Sequence, residues 1–376
     1  MKKSICIILL LIILFPTNVF GEFLEPEETH MERAIVLEVE DGEDEEISEG
    51  FVSRTQYVKL KILSGKYKGK IFEIENDLSD NIAYNIEVKA GDKIMVGIEE
   101  FADDSTNIYV SDHIRSDHVF ILLGIFILLI ILIGGKQGVK AVITLGLTIF
   151  LVLKVLLPLM LKGINPIPIS VIISIIITII TIFIIGGINS KSISAVIGTS
   201  SGVIIAGLIA YFVGSKAKLT GFNAEEATML MYIPQDIDFD FKALLFSGII
   251  LGALGAIMDV GMSIASSIEE IHNVNKEISR RELFNAGMNV GKDIMGTMTN
   301  TLILAYAGSS IPLLLLFMAY EIPMKEIINL DLIATEIVRS LSGSIGLILT
   351  IPLTALIAAF LSCSKANANR EEIREK

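Results

Sequence analysis

From Val119 onward the apolar residues come in uninterrupted blocks rather than in the stripes of an amphipathic helix, which excludes an ordinary water-soluble core for this region. A helix needs about 20 apolar residues to cross the hydrocarbon of a bilayer. Blocks of that order stand at about 119–133, 141–161, 168–188, 193–213, 243–267, 294–320 and 340–361, each with very few ionisable groups. They predict an α-helical polytopic membrane bundle of about seven spans over residues 119–361, with the lipid bilayer as its first partner. Apolar residues make up 52% of the 376 positions, which a soluble protein could also accommodate, so the clustering decides the class and not the content.

Ahead of the bundle, Lys2 and Lys3 precede an apolar run from Ile5 to Phe15 and the segment Val19-Phe20-Gly21, so residues 1–21 read as a secretory signal peptide or an uncleaved N-terminal anchor. Cys6 lies inside that run and Cys363 is the other cysteine of the chain, so a mature copy has neither an internal disulfide nor a cysteine metal site.

Residues 22–118 carry most of the acidic excess and read as a small extracytoplasmic β-rich domain, a barrel or sandwich. Strands are predicted over 33–39, 56–63, 70–75 and 93–98, with turns at Ser64-Gly65 and Ala90-Gly91-Asp92. The run Glu38-Val39-Glu40-Asp41-Gly42-Glu43-Asp44-Glu45-Glu46 is expected to be a solvated loop. The basic stretch Lys61 to Lys70 reads either as a binding ridge or as a charged hairpin edge that resists aggregation. The net charge of −13 gives no expectation of a nucleic-acid partner and disfavours direct attraction to anionic lipid or wall polymer.

Seven spans put the β domain and the C-terminal tail, residues 362–376, on opposite sides. Lys136, Lys140, Lys191, Lys276, Arg280, Arg281, Lys292, Lys365, Arg370, Arg374 and Lys376 then fall on the cytoplasmic side, against Lys162, Lys216, Lys218, Lys242 and Lys325 outside. In the inner loop, Ser279-Arg280-Arg281-Glu282 has capping-box spacing and predicts a helix running into the sixth span. The outer loop has a helical stretch over 223–232, then Pro234 and the series Asp236, Asp238, Asp240.

Helix rise converts position into depth. Asp259 lies about nine residues inside its span, on the order of 13 Å into the membrane, where an ionised carboxylate must face protein or water or take up a proton. Thr297, Asn300 and Thr301 of the sixth span, Thr199, Ser200 and Ser201 of the fourth and Thr354 of the seventh reach a similar depth. One carboxylate among hydroxyl and amide oxygens is a donor set for a proton, a hard cation or a small polar solute. The structural alternative is that the hydroxyls and amides join helices by hydrogen bonding. Gly248, Gly252, Gly255 and Gly261 read as close-packing positions that would hold Asp259 against a neighbour.

Other ionisable groups have blander readings beside their functional ones. Lys154 can snorkel outward, and Glu336 with Arg339 has the spacing of an interfacial ion pair. Asp112-His113, Asp117-His118 and His272 beside Glu269 and Glu270 have residue types that bind metals, but in juxtamembrane settings. Asp259 and Asp293 differ in depth, which disfavours a shared-proton dyad, and no nucleophile elbow or phosphate loop is present; no catalytic residue, metal or cofactor is assigned and no enzymatic activity is expected.

The stretches Gly252-Ala253-Leu254-Gly255-Ala256-Ile257-Met258-Asp259-Val260, Met262 to Glu270, and Gly287-Met288-Asn289-Val290-Gly291-Lys292-Asp293-Ile294-Met295-Gly296-Thr297-Met298-Thr299-Asn300, continuing to Tyr306, closely resemble the YibE/F family of bacterial membrane proteins. The resemblance spans about residues 30–361 and implies a multi-pass protein of the bacterial plasma membrane. It carries no substrate or reaction. Its motif positions include Asp259, Asn289, Asp293, Thr297 and Asn300, with Asn289, Lys292 and Asp293 on the cytoplasmic approach. Lys292 stands where an arginine is expected, which keeps the charge and loses the fork geometry.

Two functions follow as expectations. One is a transporter for an ion or small polar solute that uses Asp259. The other is a non-transporting scaffold whose β domain binds an envelope protein partner.

Overall fold

The computed structural model describes residues 29–48, 51–79, 85–100, 106–222, 225–233 and 239–375. Residues 1–21, read above as a signal peptide, lie outside these, as do Pro234, Asp236 and Asp238. The chain divides into two compact units, Met1–Leu129 and Ile130–Lys376.

The first unit is a β half-barrel. Strands β1 (Thr29–Ser48), β2 (Phe51–Ile62), β3 (Ile71–Leu78), β4 (Lys93–Glu100) and β5 (Thr106–His113) form one antiparallel sheet in the order β3-β2-β1-β4-β5. Alternation along the strands puts Ala34, Val36, Val58, Leu60, Ile62, Ile94, Val96 and Ile98 into one buried cluster. Gln56 is the polar member of this interior. Its amide exchanges hydrogen bonds with Val88 (N–H to Oε1, 3.0 Å; Nε2 to O, 3.3 Å), which ties the irregular segment before β4 to the sheet.

The acidic run is not a loop: it is the outer half of β1. β4 pairs only with residues 29–35, so beyond that point β1 is the edge strand beside β2, itself paired with β3 over 54–61, and Glu38, Glu40 and Asp41 stay exposed while the backbone is paired. Lys59 stands opposite Glu38, and Arg54 binds Asp41 at 2.6 Å, which relieves the repulsion that argued for a loop. Asp112-His113 likewise belongs to a strand, β5, which sequence reading missed; Asp112 binds Arg115 at 2.6 Å.

The second unit is helical, and the helices it holds are taken with the one that leads into it: α1 (Ser116–Leu151), α2 (Leu157–Leu161), α3 (Pro166–Gly186), α4 (Ser190–Lys216), α5 (Glu225–Met229), α6 (Phe241–Val274), α7 (Arg280–Ser309), α8 (Ile311–Ala319), α9 (Met324–Ile327) and α10 (Asp331–Glu375). Among the described residues, five stretches are long and apolar enough to cross a membrane: 116–161, 166–186, 190–216, 241–274 and 331–363. The pair α7 and α8, bent by 61° at Ser310 ahead of Pro312, makes a sixth if it counts as one. Stretches this long and apolar make the protein membrane-embedded.

The 116–161 stretch is not straight. Gly135 takes φ 52°, ψ −126°, outside any helix, and a Cβ on Gly138 would collide with the carbonyl of Ile130, so the chain doubles back there. A π turn at 152–156 precedes Pro158, which has no N–H to give the preceding turn.

Side-chain caps start the long helices: Asn165 for α3, Asn189 for α4 and Asp240 for α6. The capping box forms at Ser279 and Glu282 as the spacing predicted, and α7 runs unbroken from it to Ser309. The core lies where α4, α6 and α10 pack together, with α3 on one flank and α7 on the other.

Two outcomes check this description. At Gly135 an L side chain is strained whatever the space, whereas Gly134 has an ordinary φ and open surroundings. Gly135→Ala is expected to lower the melting temperature of the detergent-solubilised chain and Gly134→Ala to leave it unchanged. In the half-barrel, Gln56 and then Arg54 hold the Asp41 carboxyl below its usual range, Lys59 does so for Glu73, and Arg115 followed by the His113 N–H for Asp112. Depressed folded values give stability that is present above the unfolded carboxylate value and lost as pH falls through the folded one. The half-barrel transition, followed by calorimetry on the full chain, is expected to be flat down to about pH 5 and to shift downward below about pH 4.

Candidate functional site

α6 carries two unlike faces. One is buried against α4, α10 and α7 and holds Ala253, Ile257, Val260, Gly261, Ile264 and Ile268. The other is a stripe of Gly248, Gly252, Gly255, Asp259 and Ser263, all partly or well exposed. A Cβ built on Gly248 or Gly255 would meet nothing within 4 Å, so these glycines leave a shallow groove rather than a helix contact, contrary to the close packing expected of them.

The predicted polar layer divides between these faces. Thr199 of α4 is fully buried, and its Oγ1 would lie 2.5 Å from a Cβ on Gly261. Thr354 of α10 is fully buried over Gly198 in the same way, and Thr350 over Gly202. Gly261 and Asp259 are two residues apart, hence about 200° apart around α6. Thr199 and Thr354 therefore sit behind the helix that presents Asp259, and the expected convergence of all these groups does not occur. The Thr199 and Thr354 hydroxyls have no hydrogen-bond partner among the described residues; both rest on glycine backbone, where Cα–H groups can serve them weakly.

The remaining predicted residues separate further. Ser201 bonds to its own helix at the Ile197 carbonyl, 2.8 Å, and Ser200 is half-buried beside it. On α7, Thr297 and Thr301 donate to the Ile294 and Thr297 carbonyls and are exposed. Asn289, Lys292, Asp293 and Asn300 are exposed on the side of α7 away from the core cluster.

Contacts of Gly287 with Ile268 and of Gly291 with Ile264 fix the antiparallel register of α6 and α7. Extended toward the α7 C-terminus, it levels Gly296 with Asp259, Thr299 with Ala256, and Asn300 with Gly255. Asp259 has no hydrogen bond or ion pair among the described residues.

Two residues that were not singled out do border the groove. Tyr306 of α7 lies with its hydroxyl 2.8 Å from a Cβ built on Gly252. Thr299, seven residues earlier and so on nearly the same face of α7, has a buried hydroxyl with no partner among the described residues. Their seven-residue spacing was the legible signal, but nothing in it said which side of α7 meets α6. The Tyr306 ring faces the Arg339 guanidinium at 6.0 Å, and Arg339 binds Glu336 at 2.9 Å, so the predicted ion pair forms.

Near the C-terminus of α6, Lys191 of α4 binds Glu269 of α6 at 3.0 Å, which engages one carboxylate of the group around His272. Asp117 binds both Arg33 and Lys93 at 2.9 Å. No cluster of three or more His, Cys, Asp or Glu side chains suited to a metal occurs among the described residues. Lys154 is exposed on the π turn.

A helical membrane protein with a β half-barrel ahead of it and, midway along an apolar helix, a carboxylate with no partner among the described residues is the class these features define. Family models match the chain over residues 122–364, as a YibE/F-like protein, and over 28–113, as the YibE/F family N-terminal domain. The chain belongs to the YibE/F family. No curated protein and no solved structure matches it.

The packing makes a separable prediction. Gly261→Ala is expected to cost roughly 1–3 kcal/mol of stability through overpacking against Thr199, and Thr199→Ala in the same chain to restore most of it. Thermal unfolding of the four members of this cycle in one detergent checks it.

Proposed function

We propose that this protein is a permease for a proton, a cation or a small polar solute, and that Asp259 is its coupling or coordinating carboxylate. The observation that supports this reading is the unpaired Asp259 on the glycine-lined open face of an apolar span. Facing lipid there costs a carboxylate about 3 kcal/mol on insertion scales, so a hydrated or occupied groove is the arrangement that accounts for it. Gly255 and Gly248 leave room for a solute beside the helix, and Thr299 supplies an oxygen about one turn outward. Thr199 and Thr354 act in packing and are not part of the path.

The proposed topology has seven crossings: the break at Gly135 divides the 116–161 stretch in two, and α7 with α8 crosses once. The excess of Lys and Arg on the loops after Gly134, Asn189 and Glu269 supports a cytoplasmic side for those loops and an outer side for the half-barrel.

A scaffold role is the second reading, favoured by a cleft of about 790 Å³ in the half-barrel lined by Glu38, Glu40, Glu73, Glu75, Tyr57 and Lys59, which suits a cationic envelope partner. Deleting residues 22–118 would then abolish function while Asp259→Asn would not.

Proteoliposome flux separates the two, with a trapped pH dye for protons and Na⁺, Mg²⁺ and inorganic phosphate as solutes. Asp259→Asn is expected to abolish whichever flux the wild type shows, with insertion and purification unchanged, and Thr199→Ala and Thr354→Ala to keep most of it. Undiminished flux in Asp259→Asn removes the proposed role.

A further inference from the structure

Along the stripe of α6, Gly248, Gly252, Gly255 and Asp259 are all exposed; a Cβ on Gly248 or Gly255 would meet nothing within 4 Å, whereas one on Gly252 would meet the Tyr306 hydroxyl at 2.8 Å, two turns before Asp259. The α6 and α7 register levels Gly252 with Ile303, and a helical side chain leans back toward its own N-terminus by about a turn, so Tyr306 reaches Gly252 from one turn beyond. Gly252 has no side chain to prop the ring away, and the hydroxyl comes to rest on the backbone of α6. The phenol thus lies across the groove two turns outward of Asp259.

Tyr306 is also braced. Arg339 of α10 stands 6.0 Å from the ring centroid, within cation–π range, and its ion pair with Glu336 is largely hidden from solvent, 27% and 18% exposed. Arg339 Nε and Glu336 Oε2 are buried with no partner among the described residues. A guanidinium and a carboxylate each left with an unused hydrogen-bonding position in a low-dielectric setting form a brace with more than one satisfied arrangement open to it. The sequence alone gave this pair an interfacial reading; the structure adds the ring and the glycine.

We propose that Tyr306 is the outer gate of the Asp259 groove, with Arg339 and Glu336 as the positioning residues that hold it shut. This rests on the permease reading of the same groove and assigns its regulation. In the closed state the phenol separates the outer groove at Gly248 from the inner groove at Gly255 and Asp259. Swinging the ring away from Gly252 joins them.

The test reads access rather than flux. In a Cys6→Ser, Cys363→Ser background, Gly248→Cys and Gly255→Cys are made separately at positions where a Cβ meets nothing. Each is labelled with a membrane-impermeant cationic methanethiosulfonate reagent applied from the side of the α6 N-terminus. Gly255→Cys is expected to react at least about tenfold more slowly than Gly248→Cys while Tyr306 is present, and Tyr306→Ala to raise the Gly255→Cys rate at least about tenfold without changing that of Gly248→Cys. Gly252→Ala, which pushes the phenol off α6 and leaves the Tyr306 side chain intact, is expected to do the same. Arg339→Lys, which keeps charge but loses the planar contact, is expected to give an intermediate rate.

Equal rates at the two cysteines with Tyr306 in place, or a Gly255→Cys rate that answers to neither Tyr306→Ala nor Gly252→Ala, overturns the gate. The Gly248→Cys rate reports a folded helix in every variant, so loss of fold is not mistaken for opening. Should flux survive Asp259→Asn while the labelling ratio still follows Tyr306, the coupling carboxylate is refuted and the gate stands.

Discussion

Helices in a bilayer gain nothing by burying leucine against leucine, because the lipid they leave is as apolar as the neighbour they meet, so they must find contact by approaching closely. In this protein the approach is made by glycine against threonine. Gly198, Gly202 and Gly261 let α4, α6 and α10 come together until the hydroxyls of Thr354, Thr350 and Thr199 lie on the facing backbone. That triple contact orients α6, and the orientation of α6 decides what every residue on it faces.

One consequence is that the acid of α6 is turned outward. Gly261 must face Thr199, and helical geometry then swings Asp259 to the opposite side, with Gly255, Gly252 and Gly248 in line with it. The glycines of α6 thus have opposite uses: Gly261 on the core face lets α4 approach, and Gly248 and Gly255 on the other face leave open space. The same orientation presents Gly252 to α7, which is why Tyr306 can cross the groove at that point and at neither open glycine beside it.

The half-barrel solves a different problem, how to carry many carboxylates on paired strands. It does so by extending β1 and β2 beyond the reach of β4, where Glu38, Glu40 and Asp41 remain exposed and Lys59 and Arg54 stand against the acids. The bulges between Val36 and Glu38 and between Asp41 and Asp44 mark where the strand leaves the strict alternation of the core.

How much of this was legible in the chain differs by level. Apolar block length, the capping box at Ser279, and most of the strand positions follow from local pattern, since each depends on residues a few positions apart. The acidic part of β1 was not legible, because charge density read in one dimension ignores the cations that pairing brings opposite. The candidate site was legible only in part. Depth along a helix is set by counting, which is how the sequence sets Asp259 apart from Asp293, but counting says nothing of azimuth.

By itself, the sequence determined that the chain is a membrane-embedded helical protein with an acidic β domain before it, because length and hydropathy alone select what can lie in hydrocarbon. Only the tertiary structure decided that Asp259 and Thr199 lie on opposite sides of α6, that Thr299 and Tyr306 border the groove where Asn300 does not, and that Arg339 meets a ring. The physical reason is that rotation of a helix about its axis is fixed by which small residues its neighbours press against, and that is a property of three helices at once.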